Sequence, residues 1–153
     1  MHLRPYLSED WSRVRDIHDL CKPDEMRGSV DLSAILLLEQ DPPTLEMFRR
    51  SEIIVIEDAS EVVGFTAHME SYISWLCVHP SHRRRGIATL LLQEVLGRIE
   101  GIATLNVGKH NLPARSLYER FGFVIERDFI GTFNGRRVEV LKMQRPLGNA
   151  ICP

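Results

Sequence analysis

Apolar residues recur along this chain with two different periods. In the first fifty residues the spacing is helical. "LRPYL" reads as a short opening strand, and Ser8 then predicts a helix N-cap, with Glu9 and Asp10 in the first turn and Trp11, Val14 and Ile17 along one face. "CKPDEMRGS" breaks the pattern and reads as a loop. Asp31 predicts the cap of a second helix through "LSAILLLEQ", which Pro42 and Pro43 stop, and a further short helix fits Leu45 to Arg50.

At Glu52 the period changes. "EIIVIED" and "EVVGFTAHM" are β-branched runs joined by Asp58-Ala59-Ser60, the pattern of a hairpin. "YISWLCVHP" follows as a nearly apolar strand, expected to be buried on both faces. From Ile87 the apolar positions Leu90, Leu91, Val95, Leu96 and Ile99 return to helical spacing, and "GIATLNVG" is another strand. "NLPARSLYERFGF" reads as a capped helix with Asn111 as cap, Pro113 in the first turn and Gly122 at the far end. Two closing strands flank Asn134-Gly135, a strong hairpin turn. The predicted order is βααβββαβαββ, a mixed α/β (α+β) layer in which antiparallel hairpins flank one strand–helix–strand crossover.

Composition narrows this without redirecting it. The 153 residues, 44% hydrophobic and 26% charged, suit a single domain over 1–153 with a substantial core. A net charge of −2 gives no global field for nucleic acid or an anionic membrane, so neither is expected as a partner. Cys21, Cys77 and Cys152 lack the spacing of a disulfide framework or zinc site, and Cys77 reads as a buried small hydrophobe. No metal is expected, and His68, His79, His82 and His110 read as surface or loop residues rather than ligands. The start lacks an apolar signal core and no stretch is long enough for a bilayer, which makes the expected location cytoplasmic.

Against that background, "HPSHRRRGIATLLL" sets three arginines at the mouth of an apolar helix. The first turn of a helix leaves backbone N–H groups unpaired and carries partial positive charge. Gly86 clears the approach to that backbone, Ala88 is nearly as small, and Arg83, Arg84 and Arg85 surround the opening. Such a site suits a pyrophosphate. Backbone hydrogen bonds to a charged group contribute about 1.5–3 kcal/mol each, against roughly 0.3–1 kcal/mol from the dipole. Access at Gly86 therefore matters more than helix alignment. The chain contains neither GxxxxGK[ST] nor GxGxxG after its first strand, which excludes the two standard nucleotide loops.

"RRRGIA" matches R/Q-x-x-G-x-G/A, with Arg83, Gly86 and Ala88 at the fixed positions, and here the chain resembles the GNAT superfamily of acyl-CoA N-acyltransferases. "WLCVHPSHRRRGIATLLL" is similar to that family's fourth strand, pyrophosphate loop and third helix. "LNVGKHNLPARSLYERFGF" is similar to its fifth strand and fourth helix. The resemblance implies a twisted, mostly antiparallel mixed sheet of about seven strands flanked by about four helices. It implies acetyl-CoA as co-substrate and direct transfer of acetyl to an amine acceptor by a monomer or homodimer.

In this family the strand matching Leu76, Cys77 and Val78 splays from its neighbour near Asn106, and its free backbone pairs with the pantetheine arm. Arg83, Arg84, Arg85, Gly86, Ile87 and Ala88 would hold the pyrophosphate. Asn111 would fix the pantetheine side, and Tyr118 would protonate the leaving thiolate. Many relatives carry a glutamate on the fourth strand where this chain has Tyr72. Glu70, expected in the preceding turn and sharing Tyr72's facing, is the candidate base, with His68 or a water relay as competitors. Substrate loops would come from Lys22–Ser29 and Phe133–Arg136, where Asp24, Glu25 and Asp31 favour a cationic amine. The competing reading is an acyl-CoA-binding regulatory module without turnover.

Overall fold

A computed structural model describes residues 1–148, so Cys152 lies outside the described residues. The period change at Glu52 is where the main sheet begins. Strands β1 (His2–Pro5), β2 (Glu52–Asp58), β3 (Glu61–Met69), β4 (Tyr72–Val78), β5 (Ala103–Gly108), β6 (Val124–Phe133) and β7 (Arg136–Arg145) form one sheet in the order β1-β2-β3-β4-β5-β7-β6. Every pairing is antiparallel except β4 with β5. Helices α1 (Trp11–Met26), α2 (Pro42–Arg50), α3 (Ile87–Arg98) and α4 (Leu112–Arg120) complete the expected βααβββαβαββ order.

Neighbouring β2 residues show how the layers form. Val55 joins a cluster with Val14 and Ile17 of α1 and Phe48 of α2, whereas Ile56 joins Ile87 and Leu91 of α3. Successive side chains of a strand point to opposite faces, so α1 and α2 cover one face and α3 the other. A third cluster ties α3 and α4 to β5 and β7 through Leu92, Val95, Leu105, Leu117, Phe121 and Leu141.

The helical part of the first fifty residues departs from expectation in four places. Ser8 opens a 3-10 turn, and Asp10 stands at the N-cap of α1. The Asp10 carboxylate does not cap the helix, because it accepts the Leu7 N–H at 2.8 Å and is gripped by Arg4 of β1. Cys21–Met26 is helix rather than loop: α1 runs through Pro23 because Cys21, one turn from Glu25, packs against β4. Tertiary contact overrides the breaker here. The segment after Asp31 forms only the 3-10 turns Leu32–Ala34 and Leu38–Gln40, with Leu38 alone among its leucines buried, and Asp31 accepts from Ser33 N at 2.9 Å. Pro42 and Pro43 start α2 instead of stopping a helix, since the first turn needs no N–H from them.

Both hairpin turns are as read, with positive φ at Ala59 and Ser60 and at Asn134 and Gly135. Among the described residues no helix is long and apolar enough to cross a membrane.

Candidate active site

The parallel pair β4–β5 is joined in register only at Tyr72 and Thr104, with Thr104 N donating to Ser71 O at 2.9 Å. Beyond that point the strands part, so Leu76 to Val78 and Asn106 to Gly108 face each other across a gap. β4 is consequently not buried on both faces: Ile73, Trp75 and Cys77 are buried, whereas Tyr72, Ser74 and Leu76 are half-buried.

Two cavities open from this gap. The first, about 870 Å³, is lined by Leu76, Val78, Arg83, Arg84, Gly86 and the start of α3, and across from them by Asn111, Leu117 and Tyr118. The first hydrogen bond of α3 runs from Leu90 N to Gly86 O at 3.1 Å, which leaves the N–H groups of Ile87, Ala88 and Thr89 without intrahelical partners. Gly86 has φ +78°, a left-handed conformation, and a Cβ built there meets nothing within 4 Å. That open space lies beside three free donors, as a pyrophosphate site requires.

The arginines divide their work. Arg83 turns inward: it pairs with Asp24 of α1, reaches Val78 O at 3.4 Å, and places Nη2 3.6 Å from the Cys21 sulfur. It braces the loop against α1. Arg84, itself at φ +62°, lines the cavity and forms no ion pair among the described residues. Arg85 is directed elsewhere, to Asp58 of the β2–β3 turn at 3.0 Å, and does not line the cavity. The three therefore do not ring the opening, because carboxylates distant in sequence claim two of them.

The second cavity, about 630 Å³, lies between the α1–α2 segment and the β6–β7 hairpin. Its lining includes Lys22, Met26, Tyr72, Ser74, Asn106 and Phe133. The two segments expected as substrate loops meet here: Lys22 Nζ sits 5.4 Å from the Phe133 ring centroid, and Asn134 donates to Ala34 O. Glu25 lies on α1 with Oε2 3.6 Å from Lys22 Nζ and Oε1 3.7 Å from the Cys77 sulfur. Its acidic neighbourhood was legible in the sequence, but its position was not, since that depends on α1 continuing past Pro23.

Tyr118 is buried on α4, with its ring 5.7 Å from Phe123, and it lines both cavities. Burial, and then the negative charge of Glu25, push its phenol well above the usual value. Burial also raises Tyr72, with Asn106 as a hydrogen-bond partner acting in the opposite direction. Asn111 caps α4, accepting from Ala114 N at 3.4 Å, and lines both cavities. Cys77 is buried and lines neither cavity: His79 N donates to Val63 O, and strand alternation likewise turns the Cys77 backbone to β3, leaving Leu76 and Val78 to face the gap.

Glu70 is not brought to this site. It is exposed in the β3–β4 turn at φ +51° and lines neither cavity, because the left-handed turn ends the strand alternation that would give it Tyr72's facing. His68 is also elsewhere, and buried rather than exposed: its Nδ1 lies 2.9 Å from Glu70 O and its Nε2 3.4 Å from Glu52.

The sequence model of the family described as acetyltransferase (GNAT) domain matches residues 49–125. The mycothiol acetyltransferase of Saccharomonospora viridis is 39% identical over 79 residues, 47% of this chain and 25% of that protein. The chain spans between 7% and 49% of the length of the curated relatives it matches. Among solved structures, a GCN5-related N-acetyltransferase of Rhodopseudomonas palustris superimposes with a TM-score of 0.80 at 18% identity, covering 95% of each chain. The structure of yncA from Salmonella typhimurium, solved with its cofactor acetyl-CoA, gives a TM-score of 0.75 at 16% identity over 100% of this chain and 97% of that one. At these identities the likeness concerns the fold.

Proposed function

This chain belongs to the GNAT acetyltransferase family, and on that premise we propose that it transfers acetyl from acetyl-CoA to a primary amine of a small molecule or polypeptide, by direct attack in a ternary complex. The observation that carries the reading is the meeting of the two cavities at the open β4–β5 edge, beside Tyr118. The first cavity suits acetyl-CoA: it combines free helix N–H groups, open space over Gly86 and an unpaired strand edge. Bound there, acetyl-CoA supplies a thioester carbonyl as electrophile.

The chain's own groups then divide the work. The N–H groups of Ile87, Ala88 and Thr89, with Arg84, hold the pyrophosphate, and Arg83 keeps their loop in shape. The backbone of Leu76 and Val78, which alternates away from β3, pairs with the pantetheine amides as an added strand would, while Cys77 between them stays bonded to β3. Asn111 flanks that arm from α4. Tyr118 keeps its phenolic proton throughout the neutral range and delivers it to the departing sulfur.

The acceptor must be neutral to attack. At pH 7 that costs about 4.6 kcal/mol for a lysine-like amine of pKa ~10.4, and about 1.4 kcal/mol for an α-amine of pKa ~8. A proton acceptor near the junction is therefore worth most to the first kind of substrate.

One observation favours the competing reading, a module that binds acyl-CoA without turnover: Glu70 lies outside both cavities. Calorimetric titration with acetyl-CoA, followed by thiol-release assays across an amine panel, separates the two. Transfer predicts binding with amine-dependent release of CoA. Binding with no release supports the module, and absence of binding rejects both.

A further inference from the structure

Five residues line both cavities: Glu25, Leu76, Asn111, Ala114 and Tyr118. They surround the place where a thioester from one side meets an amine from the other, and only Glu25 and Tyr118 among them titrate. We propose that Glu25 is the group that takes the acceptor's proton, the counterpart of the proton-giving Tyr118. This rests on the acetyl-transfer reading above.

The other carboxylates around the cavities are committed. Asp24 is held by Arg83 and Arg27, and Asp41 accepts from both the N–H and hydroxyl of Thr44 at the start of α2. Glu25 is not. Lys22 at 3.6 Å is beyond hydrogen-bond range, and the Cys77 thiol at 3.7 Å is a weak donor. Both carboxylate oxygens thus keep capacity for an N–H donor. At 30% exposure the side chain is walled by protein yet able to pass a proton to water.

The fold places it there through two unusual positions. α1 continues through Pro23, and Gly108 of β5 lets that last turn come close, since a Cβ at Gly108 would stand 3.3 Å from Glu25 O. The titratable groups around Glu25 are Lys22 and Asp24 from its own helix, Cys21 and Cys77 at the α1–β4 contact, and Tyr118 from α4, with Arg83 reaching Asp24 from the loop before α3. β5 offers Gly108 there, which carries no charge.

The protons then balance. An ammonium acceptor gives its first proton to Glu25, which passes it to solvent. The freed lone pair forms the N–C bond to the thioester carbonyl carbon. As the C–S bond breaks, sulfur keeps the electron pair and takes the Tyr118 proton. The nitrogen's second proton goes to Glu25 and returns through water to the Tyr118 oxygen. The net change is one amide, one thiol and one released proton.

The test uses acetyl-CoA with four probe amines: spermidine, benzylamine, an alanine-initiated tetrapeptide and an N-acetyl-lysine amide. With the best probe, kcat/KM is measured from pH 6 to 10 for wild type, Glu25→Gln and Glu25→Asp, alongside melting temperature and acetyl-CoA affinity. A general base contributes roughly 10²–10⁴-fold. Glu25→Gln should therefore lose at least about 100-fold at pH 7 and regain most of it as the amine deprotonates, with acetyl-CoA Kd within about twofold of wild type. Glu25→Asp should be slower but keep the wild-type acidic limb. Profiles that coincide, or run parallel at a constant offset, would overturn the assignment while leaving acetyl transfer intact. So would loss of acetyl-CoA binding in both variants. A wild-type protein that binds acetyl-CoA and acetylates none of the four would instead overturn the transfer reading, and the assignment with it.

Discussion

On the proposed reading, Tyr118 would contribute by staying protonated. Burial and the charge of Glu25 hold its phenol above the ordinary tyrosine range, so its proton is kept further into the alkaline range than that of an exposed tyrosine. Tyr118→Phe keeps the ring against Phe123 and removes only that proton. Acetyl-CoA affinity should survive while kcat falls by roughly 10²–10⁴ under conditions where chemistry limits the rate. Wild-type activity should show no decline attributable to Tyr118 up to pH 10. Unchanged kcat in the variant would leave the residue a packing role.

Arg83 calls for a prediction of opposite sign to the simplest one. Its partner Asp24 also lines the cavity that would take the pyrophosphate. Asp24→Ala removes a negative charge from that wall and frees a guanidinium. With partly exposed charges worth about 0.2–1 kcal/mol, acetyl-CoA affinity should rise by between about 1.4-fold and about fivefold at low salt. The gain should fade at high salt, where screening is stronger. A loss of affinity would mean that the brace itself is what organises the loop.

Among the elements, β1 and α1 depend on one charged cluster. Arg4 bonds Asp10 at 2.8 and 2.9 Å and Glu57 at 2.7 Å, tying the first strand to the helix start and to β2. Arg4→Ala would leave the buried Asp10 short of its main partner, and should cost about 2 kcal/mol at pH 7. Hydrogen bonding from Arg4 lowers the Asp10 pKa. A lowered carboxylate adds stability that is complete above its unfolded value and is lost as pH falls through the folded one. The melting-temperature gap between wild type and variant should therefore close below about pH 4.

The hairpins, α3 and α4 were legible from sequence because local chemistry decides them: β-branched alternation, Asn134-Gly135, and Asn111 with Pro113. The end of α1, the start of α2 and the fate of "LSAILLLEQ" were not. Pro23 lies inside one helix and Pro42 begins another, and only packing against β4 or the position within a first turn settles which. The candidate site divides likewise. The Arg83–Gly86–Ala88 loop is a contiguous motif, whereas Glu25 reaches the junction through contacts with residues 52 positions away.

At the scale of the molecule, the sheet is continuous everywhere except between β4 and β5, whose ladder is reduced to one registered pair. Hydrogen–deuterium exchange should find the amides of Leu76, Val78, Asn106 and Gly108 weakly protected alone, and those of Cys77 and Val107, which alternate toward β3 and β7, protected. Acetyl-CoA should protect the β4 set selectively, with no matching change in β2 or β6. Equal protection across the sheet would argue against strand-like binding. Free, the protein has a sheet with a seam that is bridged on one face by α3, whose Leu91 packs with β2 and β3 and whose Leu92 and Val95 pack with β5 and β7. A ligand seated in that seam bonds to one side and packs on the other, and so adds a second bridge to that of α3. At a hundredfold excess over Kd it would add about 2.7 kcal/mol to stability. The co-substrate is then also a structural member, and the supply of acetyl-CoA would set how long the protein lasts as well as how fast it works.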